Sequence, residues 1–540
     1  MKLRPPLEGE HFDVLVIGGG INGVAIAREC ARAGRRTLLV EQHDFGAGTT
    51  SRSTRMIHGG LRYLEQGDIA QVRESLRERE WLLRRYPHLV EPLEFLVPLG
   101  RNSRRSALAV RAGLWLYRRM AGARRGAESN GRQQAALERM LDSGHEFSIF
   151  SFEDAQCEFP ERLVAEWLLE AMEAGCVARN HARVLEVEKR EGRAVGARLR
   201  DQFSGKEERV YSSWTINAAG PWVDQVCRSS GITTEKPMVG GVRGSHIVLP
   251  RLAGAPEAAV YTEAVDGRPV FVIPWNEQTL VGTTEVRDEG DPSRVQPSTD
   301  EIEYLLRSLQ RLFPQNQISG NDIRYAFAGV RPLPYSSGSN PSAVTRRHFF
   351  HDHASDGAAR MISVIGGKLT TAAGLARECA ARIEIKTKPM TLAIAVERNC
   401  DELVDGWVAE VAQAGGISPE SARAIVEWHG KRSLAIVASA RKRDELRVPL
   451  CPHTRHIVAE AVEAFSSECA VTLGDVLLRR VPVALGACWS PECSREAARR
   501  VANAMGWDDD RAAWELQGFE VERIAFLGKP APTESSRPPR

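Results

Sequence analysis

Residues 12–41 read FDVLVIGGGINGVAIARECARAGRRTLLVE, and this stretch decides the fold of the chain. An apolar run of strand type leads into a glycine turn, an Ala-rich segment predicts a helix that stops at Gly34, and a second apolar run follows. Gly18, Gly20 and Gly23 have the G-x-G-x-x-G spacing, which permits a tight turn, close approach of a pyrophosphate and close packing of helix on strand. The stretch therefore predicts a Rossmann-like βαβ unit.

Glu41 stands at the end of the second predicted strand. A carboxylate at this place accepts hydrogen bonds from a ribose 2′-hydroxyl and repels a 2′-phosphate. The helix N-terminus offers N–H groups and a favourable dipole to a diphosphate. We therefore expect an ADP-bearing dinucleotide, held by Gly18, Gly20, Asn22, Gly23 and Glu41. The unit alone does not separate FAD from NAD.

The composition is that of a globular protein with more than one domain. The chain has 540 residues, 43% hydrophobic and 26% charged, and its net charge of +2 gives no indication of a nucleic-acid partner. Ten cysteines are scattered without a C-x-x-C pair, and no histidines accompany the closest pair, Cys488 and Cys493, at zinc-finger spacing. We interpret them as free thiols of a reducing cytoplasm and predict no metal site. A signal-peptide core and a bilayer-spanning apolar run are both absent, so we expect a cytosolic or membrane-bound peripheral protein.

Residues 45–64 read FGAGTTSRSTRMIHGGLRYL and follow the first unit directly. Small hydroxyl residues and glycines can wrap a diphosphate with backbone N–H groups. The other interpretation is a polar surface loop, but Met56, Ile57 and Leu61 would not suit one. The residues that we expect to contact the cofactor are Thr49, Thr50, Ser51, Arg52, Ser53, His58, Gly60 and Leu61.

The motifs GGGING at 18–23 and TTSRSTRMIHGGLRYLE at 49–65 resemble the FAD-dependent glycerol-3-phosphate dehydrogenases of the aerobic, respiratory type. Arg55 stands where most members of that family carry Lys, which keeps the charge. The resemblance extends over most of the chain. It implies an α/β fold of the D-amino-acid-oxidase-like superfamily: a Rossmann-like FAD-binding domain with an inserted antiparallel-sheet substrate domain, plus an α-helical C-terminal domain.

A second glycine turn lies at the other end of this predicted module. Residues 359–382 contain a strand, the pair Gly366-Gly367 and an Ala-rich helix, so a second helix N-terminus can point at the same cofactor. Two such units far apart in the chain favour FAD over NAD. The turn at Ala219-Gly220 resembles the one that closes the FAD site in the family. These turns add Ala219, Gly220, Gly367, Lys368, Leu369 and Thr370 to the expected FAD contacts.

The patterns and the resemblance together predict a domain division. The oxidoreductase domain covers 11–390, with FAD-binding parts at about 11–86, 150–225 and 320–390 and substrate parts at about 87–149 and 226–319. A helical C-terminal domain covers 391–528, and a disordered tail covers 529–540. The helices predicted in the C-terminal domain are 401–413, 419–429, 454–465, 473–486 and 491–505.

The resemblance implies oxidation of sn-glycerol 3-phosphate to dihydroxyacetone phosphate, with hydride transfer from C2 to flavin N5. A phosphate dianion needs charge-assisted donors, and Arg supplies a planar fork of them. Arg331 and Arg346 match the arginines that hold the substrate phosphate in the family. Arg62, Tyr63 and Lys368 are expected at the substrate or the flavin edge.

His246 lies in a Gly-Ser-His motif on a predicted strand and is the first candidate for the general base. An imidazole titrates near neutral pH and can take the proton of the C2 hydroxyl. His58 is the second candidate, and Arg331 can act in binding, in base activation or in both. A lone His on a strand is otherwise usually structural.

Residues 101–132 carry nine arginines against one acid, with aromatic and aliphatic residues between them. A basic amphipathic helix of this kind suits an anionic membrane surface, and a solvated helix with a disordered Arg-Gly loop is the other interpretation. The resemblance implies a quinone acceptor and a peripheral position on the cytoplasmic face of the cell membrane, and it is compatible with a homodimer. An oxidase that uses oxygen, a related flavin oxidoreductase acting on another hydroxy or amino substrate, and a flavin-binding sensor without turnover remain as alternatives.

Overall fold

The structure is a computed structural model that describes residues 4–65, 67–101, 103–121, 131–142, 144, 146–338, 344–385 and 400–528. The predicted domain boundary at 390 and the predicted tail 529–540 lie outside the described residues. The strands in these ranges form two sheets. The first is mainly parallel and the second mainly antiparallel, as the predicted α/β class requires.

Strands and helices are mixed up to Ile365, and helices follow in the C-terminal region. The strands are β1 (His11–Ile17), β2 (Thr37–Val40), β3 (Met56–Ile57), β4 (Glu91–Gly100), β5 (Phe147–Gln156), β6 (Val177–Arg179), β7 (Ala182–Arg190), β8 (Arg193–Asp201), β9 (Glu207–Asn217), β10 (Val239–Pro250), β11 (Ala259–Glu263), β12 (Pro269–Trp275), β13 (Gln278–Gly282), β14 (Val286–Arg287), β15 (Tyr325–Pro334), β16 (Phe349–Asp352) and β17 (Met361–Ile365). The helices are α1 (Ile21–Arg32), α2 (Leu61–Glu65), α3 (Ile69–Arg85), α4 (Ala107–Ala121), α5 (Gly131–Met140), α6 (Pro160–Glu173), α7 (Val223–Ser229), α8 (Thr299–Leu312), α9 (Ala372–Ala381), α10 (Cys400–Gly415), α11 (Pro419–His429), α12 (Ser433–Ala440), α13 (Val458–Ser467), α14 (Leu473–Asp475), α15 (Pro491–Met505) and α16 (Asp509–Leu527).

The first sheet is built around β1 and has the order β16-β17-β9-β1-β2-β6. β1 pairs in parallel with β2 and β9, and β9 pairs in parallel with β17. Val14, Leu15 and Val16 on β1 are fully buried, because helices and the β7–β8 hairpin cover the strand on both faces. The carboxyl ends of these parallel strands meet at one edge, which is where open α/β sheets bind ligands.

The second sheet has β10 near one edge, paired antiparallel with both β13 and β15. The β4–β5 pair joins it through a parallel contact between β4 and β11. Sequence reasoning assigned β15 to an FAD-binding part. The structure pairs it with β10 along its whole length, so β15 is a strand of the second sheet. The predicted domain division stays a prediction.

The C-terminal region is helical, and the helices predicted at 401–413, 419–429 and 491–505 are confirmed in α10, α11 and α15. The helix predicted at 454–465 begins only at Val458, as α13. The segment 473–486 is helical to Arg480, through α14 and one π-helical turn, and a separate 3-10 turn follows at Val483–Leu485. The sequence analysis missed α12 and α16. In α16 the large apolar side chains lie around the helix, with Phe519 buried and Val521 exposed, so they form no single apolar face.

A buried ion pair ties the helical region to α6. The guanidinium of Arg162 donates to both carboxylate oxygens of Glu468, at 2.8 and 3.1 Å. It also donates to the backbone carbonyls of Trp428 and Arg480, at 3.0 and 2.8 Å. Burial raises the pKa of Glu468, but the positive charges of Arg162 and His429 outweigh burial and hold it well below its usual range. Glu468 is therefore ionised at neutral pH.

Glu468→Gln should lower the free energy of unfolding by about 3–5 kcal/mol, because it leaves the charge of Arg162 buried without its counterion. The measurement is urea unfolding of the flavin-loaded protein, followed by circular dichroism. Asp444→Asn is the matched control, since Asp444 pairs with Arg447 at the surface and its side chain is 93% exposed. Its effect should stay below about 1 kcal/mol. Equal shifts in the two variants would contradict a stabilising role for the buried pair.

Candidate active site

A cavity of about 820 Å³ lies at the carboxyl edge of the first sheet. Ile17 and Val40 line it at the ends of β1 and β2, and Ala218 and Gly366 line it just after β9 and β17. Residues of the second sheet and of the C-terminal helices complete its wall. The cavity thus lies between all three parts of the chain, where a cofactor and a substrate can meet.

The first glycine turn is fixed by close backbone contacts. Gly18 has a φ of +103°, and a Cβ there would lie 2.5 Å from the carbonyl oxygen of Ala218. A Cβ on Gly23 would lie 1.8 Å from the Gly18 carbonyl oxygen. A Cβ on Gly20 would meet only the Thr50 hydroxyl, at 3.5 Å, so this glycine leaves space on the side of the cavity. The Glu41 carboxylate accepts from the Gly19 N–H at 2.6 Å and thereby lies beside the turn.

The second glycine turn contacts the first through Asn22. The side-chain nitrogen of Asn22 donates to the Gly366 carbonyl at 3.2 Å, and a Cβ on Gly367 would lie 2.5 Å from that nitrogen. The side-chain oxygen of Asn22 is buried and has no hydrogen-bond partner among the described residues. The N-cap residues Gly20 of α1 and Thr371 of α9 make no side-chain cap bond, although the Thr50 hydroxyl accepts from the first N–H of α1, that of Ile21. Two helix N-termini and the unpartnered Asn22 oxygen at one cavity fit the diphosphate and the flavin of FAD.

The hydroxyl residues of the loop 45–64 mostly anchor the loop itself. Thr50 accepts from the Ile21 N–H at 3.1 Å, Thr49 donates to the Val330 carbonyl at 2.7 Å, and Ser51 donates to the Gly46 carbonyl at 2.6 Å. These bonds hold the loop between the α1 turn and β15. The loop therefore lines the cavity in a fixed conformation, with its hydroxyls partly used inside the protein.

The two loop arginines are engaged by contacts within the protein. Arg52 lies over the Phe526 ring at 4.7 Å and donates to the Ala47 carbonyl at 2.6 Å. Arg55 is fully buried and donates to both carboxylate oxygens of Glu161, at 3.0 and 3.1 Å. It also stacks over the Trp275 ring at 4.4 Å. The Arg55 guanidinium is thus neutralised by Glu161, which sequence reasoning did not foresee.

Positive charge gathers in another part of the cavity wall. Arg331 donates to the Thr283 hydroxyl at 2.8 Å, and Arg346 forms an ion pair with Glu285. Thr283 and Glu285, in the short segment after β13, therefore position the side chains of both predicted phosphate ligands. The Lys368 amino group lies 3.8 Å from the centre of the Tyr63 ring.

The Lys368 amino group is buried and has no hydrogen-bond partner in the described part of the chain. Burial lowers its pKa to about 7, against the attraction of Glu74. A buried cation without a partner is costly, and an anion bound beside it would remove that cost. The cavity therefore offers Lys368, with Arg331 and Arg346, to an anionic group.

Both predicted histidines line this cavity as neutral imidazoles. The His246 Nε2 lies 2.9 Å from the Thr54 hydroxyl, its ring stacks on Phe327, and its Nδ1 has no partner among the described residues. Burial, with the charge of Arg331, lowers the pKa of His246 well below its usual value. Burial, with the charge of Lys368, lowers the pKa of His58 to about 3. Each ring is therefore unprotonated at neutral pH.

Most of the predicted site residues line the cavity together. Gly23 and Ser51 do not, since they act through packing and loop anchoring. Arg62 lies on α2, and its side chain is outside the described residues. The predicted residues that line the cavity are Gly18, Gly20, Asn22, Glu41, Thr49, Thr50, Arg52, Ser53, His58, Gly60, Leu61, Tyr63, Ala219, Gly220, His246, Arg331, Arg346, Gly367, Lys368, Leu369 and Thr370.

Sequence reasoning missed the contribution of α16. Trp514, Phe519, Glu522 and Phe526 line the cavity from this helix, although the C-terminal region carried no recognisable site motif. No local signal could have found them, because they reach the cavity only through the packing of α16 against the first two parts of the chain.

The C-terminal helices also hold the loop 45–64 in place through contacts on its outer side. Phe526 of α16 packs on Arg52 in that loop, and Arg479 and Arg480 donate to the buried Asp44, which precedes it after β2. The bonds of the loop hydroxyls to the α1 turn and to β15 fix it from the inside. The C-terminal helices therefore shape the cavity through the loop as well as through their own side chains.

Comparisons with known proteins agree with this geometry. Residues 13–382 match the family described as FAD dependent oxidoreductase, and residues 362–512 match the C-terminal domain of alpha-glycerophosphate oxidase. The chain is 38% identical to a glycerol-3-phosphate dehydrogenase of Synechocystis sp., over 90% of this chain and 91% of that protein. It is 35% identical to a D-erythritol 1-phosphate dehydrogenase of Brucella abortus, over 67% of this chain and 72% of that one.

The fold is shared with a solved glycerol-3-phosphate dehydrogenase from Bacillus halodurans complexed with FAD. The TM-score is 0.75 at 22% identity, and the match covers 97% of both chains. The family match spans the glycine turns and both sheets, and the curated relative spans nearly the whole chain. The protein therefore belongs to the FAD-dependent oxidoreductases, as a member of the glycerol-3-phosphate dehydrogenase family.

Proposed function

We propose that the protein oxidises sn-glycerol 3-phosphate to dihydroxyacetone phosphate with FAD as its cofactor. The observation that carries this proposal is the Lys368 amino group, which is buried and has no hydrogen-bond partner among the described residues. It lies in the same cavity as Arg331, Arg346 and the two neutral histidines. This combination suits a small alcohol that carries a phosphate. The names of the relatives support the same substrate.

The cofactor would be held by the two glycine turns. Its diphosphate suits the N-terminus of α1, and Glu41 suits the ribose hydroxyls. Asn22 and the α9 turn, with Gly367 and Lys368, suit the flavin end. When bound, FAD supplies the hydride acceptor for the hydrogen on substrate C2.

The phosphate is proposed to bind Arg331, Arg346 and Lys368, with Arg62 and Tyr63 beside it. Lys368 carries its proton below pH of about 7 in the free protein, since burial has lowered its pKa to that value. A bound phosphate favours the charged form and raises this pKa. Arg331 and Arg346, the second of which is paired with Glu285, supply planar forks of donors for the phosphate.

His246 is proposed as the general base. Its Nε2 is engaged with Thr54, so its Nδ1 is the ring atom left to accept the proton of the C2 hydroxyl. The tautomer that this requires has the hydrogen on Nε2, donated to the Thr54 hydroxyl. Arg331 lies close enough to depress the pKa of His246 and would also stabilise the developing alkoxide. His58 is the second candidate for this role.

Anaerobic titration with sn-glycerol 3-phosphate should bleach the oxidised-flavin absorbance of the purified protein in proportion to the substrate added. Arg346→Ala should raise the concentration for half-bleaching by roughly tenfold or more, because it removes a charge-assisted bond to the phosphate. Arg347→Ala is the matched control, since Arg347 is the next residue in the chain and its guanidinium is half exposed and pairs with Asp68. That control should change the half-bleaching concentration little.

The same titration separates the alternatives. Flavin that stays oxidised with glycerol 3-phosphate but bleaches with erythritol phosphate would replace the substrate by a longer polyol phosphate. Rapid hydrogen peroxide formation in air would identify an oxidase, which the match to the C-terminal domain of alpha-glycerophosphate oxidase keeps as the second candidate. No response to any hydroxy or amino substrate would leave a flavin-binding sensor.

His246→Ala should lower kcat by roughly 100-fold or more, with FAD content retained, because it removes the positioned proton acceptor. Stopped-flow absorbance measures this as the rate of flavin reduction at saturating substrate. His58→Ala, assayed in parallel, tells the two candidates apart. If His246→Ala keeps full turnover across the pH range while His58→Ala loses it, the role passes to His58.

We propose a membrane quinone as the electron acceptor and peripheral binding to the cytoplasmic face of the cell membrane. α4 supports this, since Leu108 and Trp115 are 78% and 66% exposed beside the exposed Arg111 and Arg119. Such a helix face suits anionic headgroups and the outer part of the acyl layer. Among the described helices, none combines the length and the apolar character that crossing a bilayer requires.

The double variant Leu108→Ser/Trp115→Ser should weaken binding to phosphatidylglycerol vesicles by roughly tenfold or more, because it removes the apolar area that would enter the lipid. Vesicle co-sedimentation at low and high salt measures the binding. Phe349→Ser is the control, since Phe349 is also exposed but belongs to β16 and not to the basic helix. Unchanged binding of the double variant would remove α4 from the contact.

A further inference from the structure

The helical C-terminal region contains a group of metal-ligating side chains that the proposed reaction does not use. The sulfur of Cys451, a ring nitrogen of His453 and the sulfur of Cys493 all lie within 4.8 Å of one another. The His453 Nδ1 is 3.4 Å from the Cys493 Sγ. Sequence reasoning treated these cysteines as separate free thiols, since Cys451 and Cys493 are far apart in the chain.

A fourth sulfur lies at the edge of this group. The Cys488 Sγ is 4.0 Å from the backbone carbonyl oxygen of His453, and the Cys493 Sγ is 3.6 Å from the carbonyl oxygen of Cys488. Cys451 and Cys493 are buried, while His453 and Cys488 are exposed. Cys488 therefore lies beside the cluster of Cys451, His453 and Cys493, on its exposed side.

The fold holds two short segments in place for these residues. The first is the loop closed by the Leu450 N–H donating to the His456 carbonyl at 2.8 Å, and it presents Cys451 and His453. The second is the start of α15, where the Cys493 N–H donates to the Ser490 hydroxyl at 3.3 Å. A thiolate at this position is favoured by the helix N-terminus.

The donor set determines the class of ligand. Thiolates and an imidazole select soft or borderline cations over Mg²⁺ and Ca²⁺, and three cysteines with one histidine are a common set for structural zinc. In a tetrahedral site with bonds of about 2.0–2.3 Å, the ligand atoms lie about 3.5–3.8 Å apart. The ligand atoms of Cys451, His453 and Cys493, which lie within 4.8 Å of one another, need a small contraction to reach this geometry, and the exposed Cys488 side chain would turn toward them to supply the fourth ligand. A disulfide would use two sulfurs and leave the imidazole and the third sulfur without a role.

We propose that Cys451, His453, Cys488 and Cys493 bind one structural zinc ion. The ion joins the 450–457 loop to the start of α15 and closes all four positions with protein ligands, so it takes no part in the redox reaction. Binding releases the protons of the thiols that still carry them, which makes the affinity fall at low pH. α13 and α15, which flank the two segments, are thereby locked together.

The test is metal analysis of the purified full-length flavoprotein, prepared without chelator and then incubated with zinc sulfate and desalted. About one zinc per chain is expected in the unchanged protein. Cys488→Ser and Cys493→Ser should each retain much less, and Cys176→Ala, a buried cysteine outside the cluster, should retain it all. Flavin absorbance and circular dichroism establish that each variant is folded. Cys488 is exposed, so its substitution leaves the core intact.

A second measurement does not depend on any variant. Iodoacetamide should label the exposed Cys488 slowly in the zinc-loaded protein and much faster after treatment with a chelator, as read by peptide mass spectrometry. The proposal is overturned if the unchanged protein binds no zinc, if both serine variants keep it, or if Cys451 and Cys493 are found joined as a disulfide. None of these results depends on turnover, so the proposed oxidation of glycerol 3-phosphate stands or falls separately.

Discussion

The contact between the Gly18 turn and the Ala218 backbone is the constraint on which the site depends. A Cβ at Gly18 would lie 2.5 Å from the Ala218 carbonyl oxygen, so β1 and β9 can end side by side only with glycine at this position. The side chain of Asn22, at the start of α1, then donates to the carbonyl of Gly366 in the second glycine turn. Three separate segments thereby meet at one sheet edge, and a larger residue at Gly18 would displace all of them.

The pKa values of the cavity histidines follow from burial near cationic side chains. Arg331 and Lys368 lie beside the two histidines, and burial is the largest contribution to each lowered imidazole pKa. Burial therefore keeps His246 and His58 unprotonated, and the positive charge that would attract an anionic substrate adds to this effect. Binding of a phosphate and acceptance of a proton are linked in this way through one set of charges.

The sequence by itself determined the fold class and the class of cofactor. The glycine spacing, the strand before it and Glu41 after it are local features, and each has a direct physical requirement at a dinucleotide. The positions of Arg331, Arg346 and His246 could be chosen only through the family motifs, since isolated arginines and histidines are usually structural. Helices α10, α11 and α15 followed from caps and periodicity.

Only the tertiary structure decided the remaining features. Arg55, which stands in the predicted cofactor-binding loop, pairs with Glu161 inside the protein, and α16 forms a wall of the cavity without any local motif. Cys451 and Cys493 meet although a long stretch of chain separates them. In each case the partner lies far away in the sequence, and its position depends on how whole helices and sheets pack. Local propensity carries no information on such contacts, because it describes only interactions between neighbours along the chain.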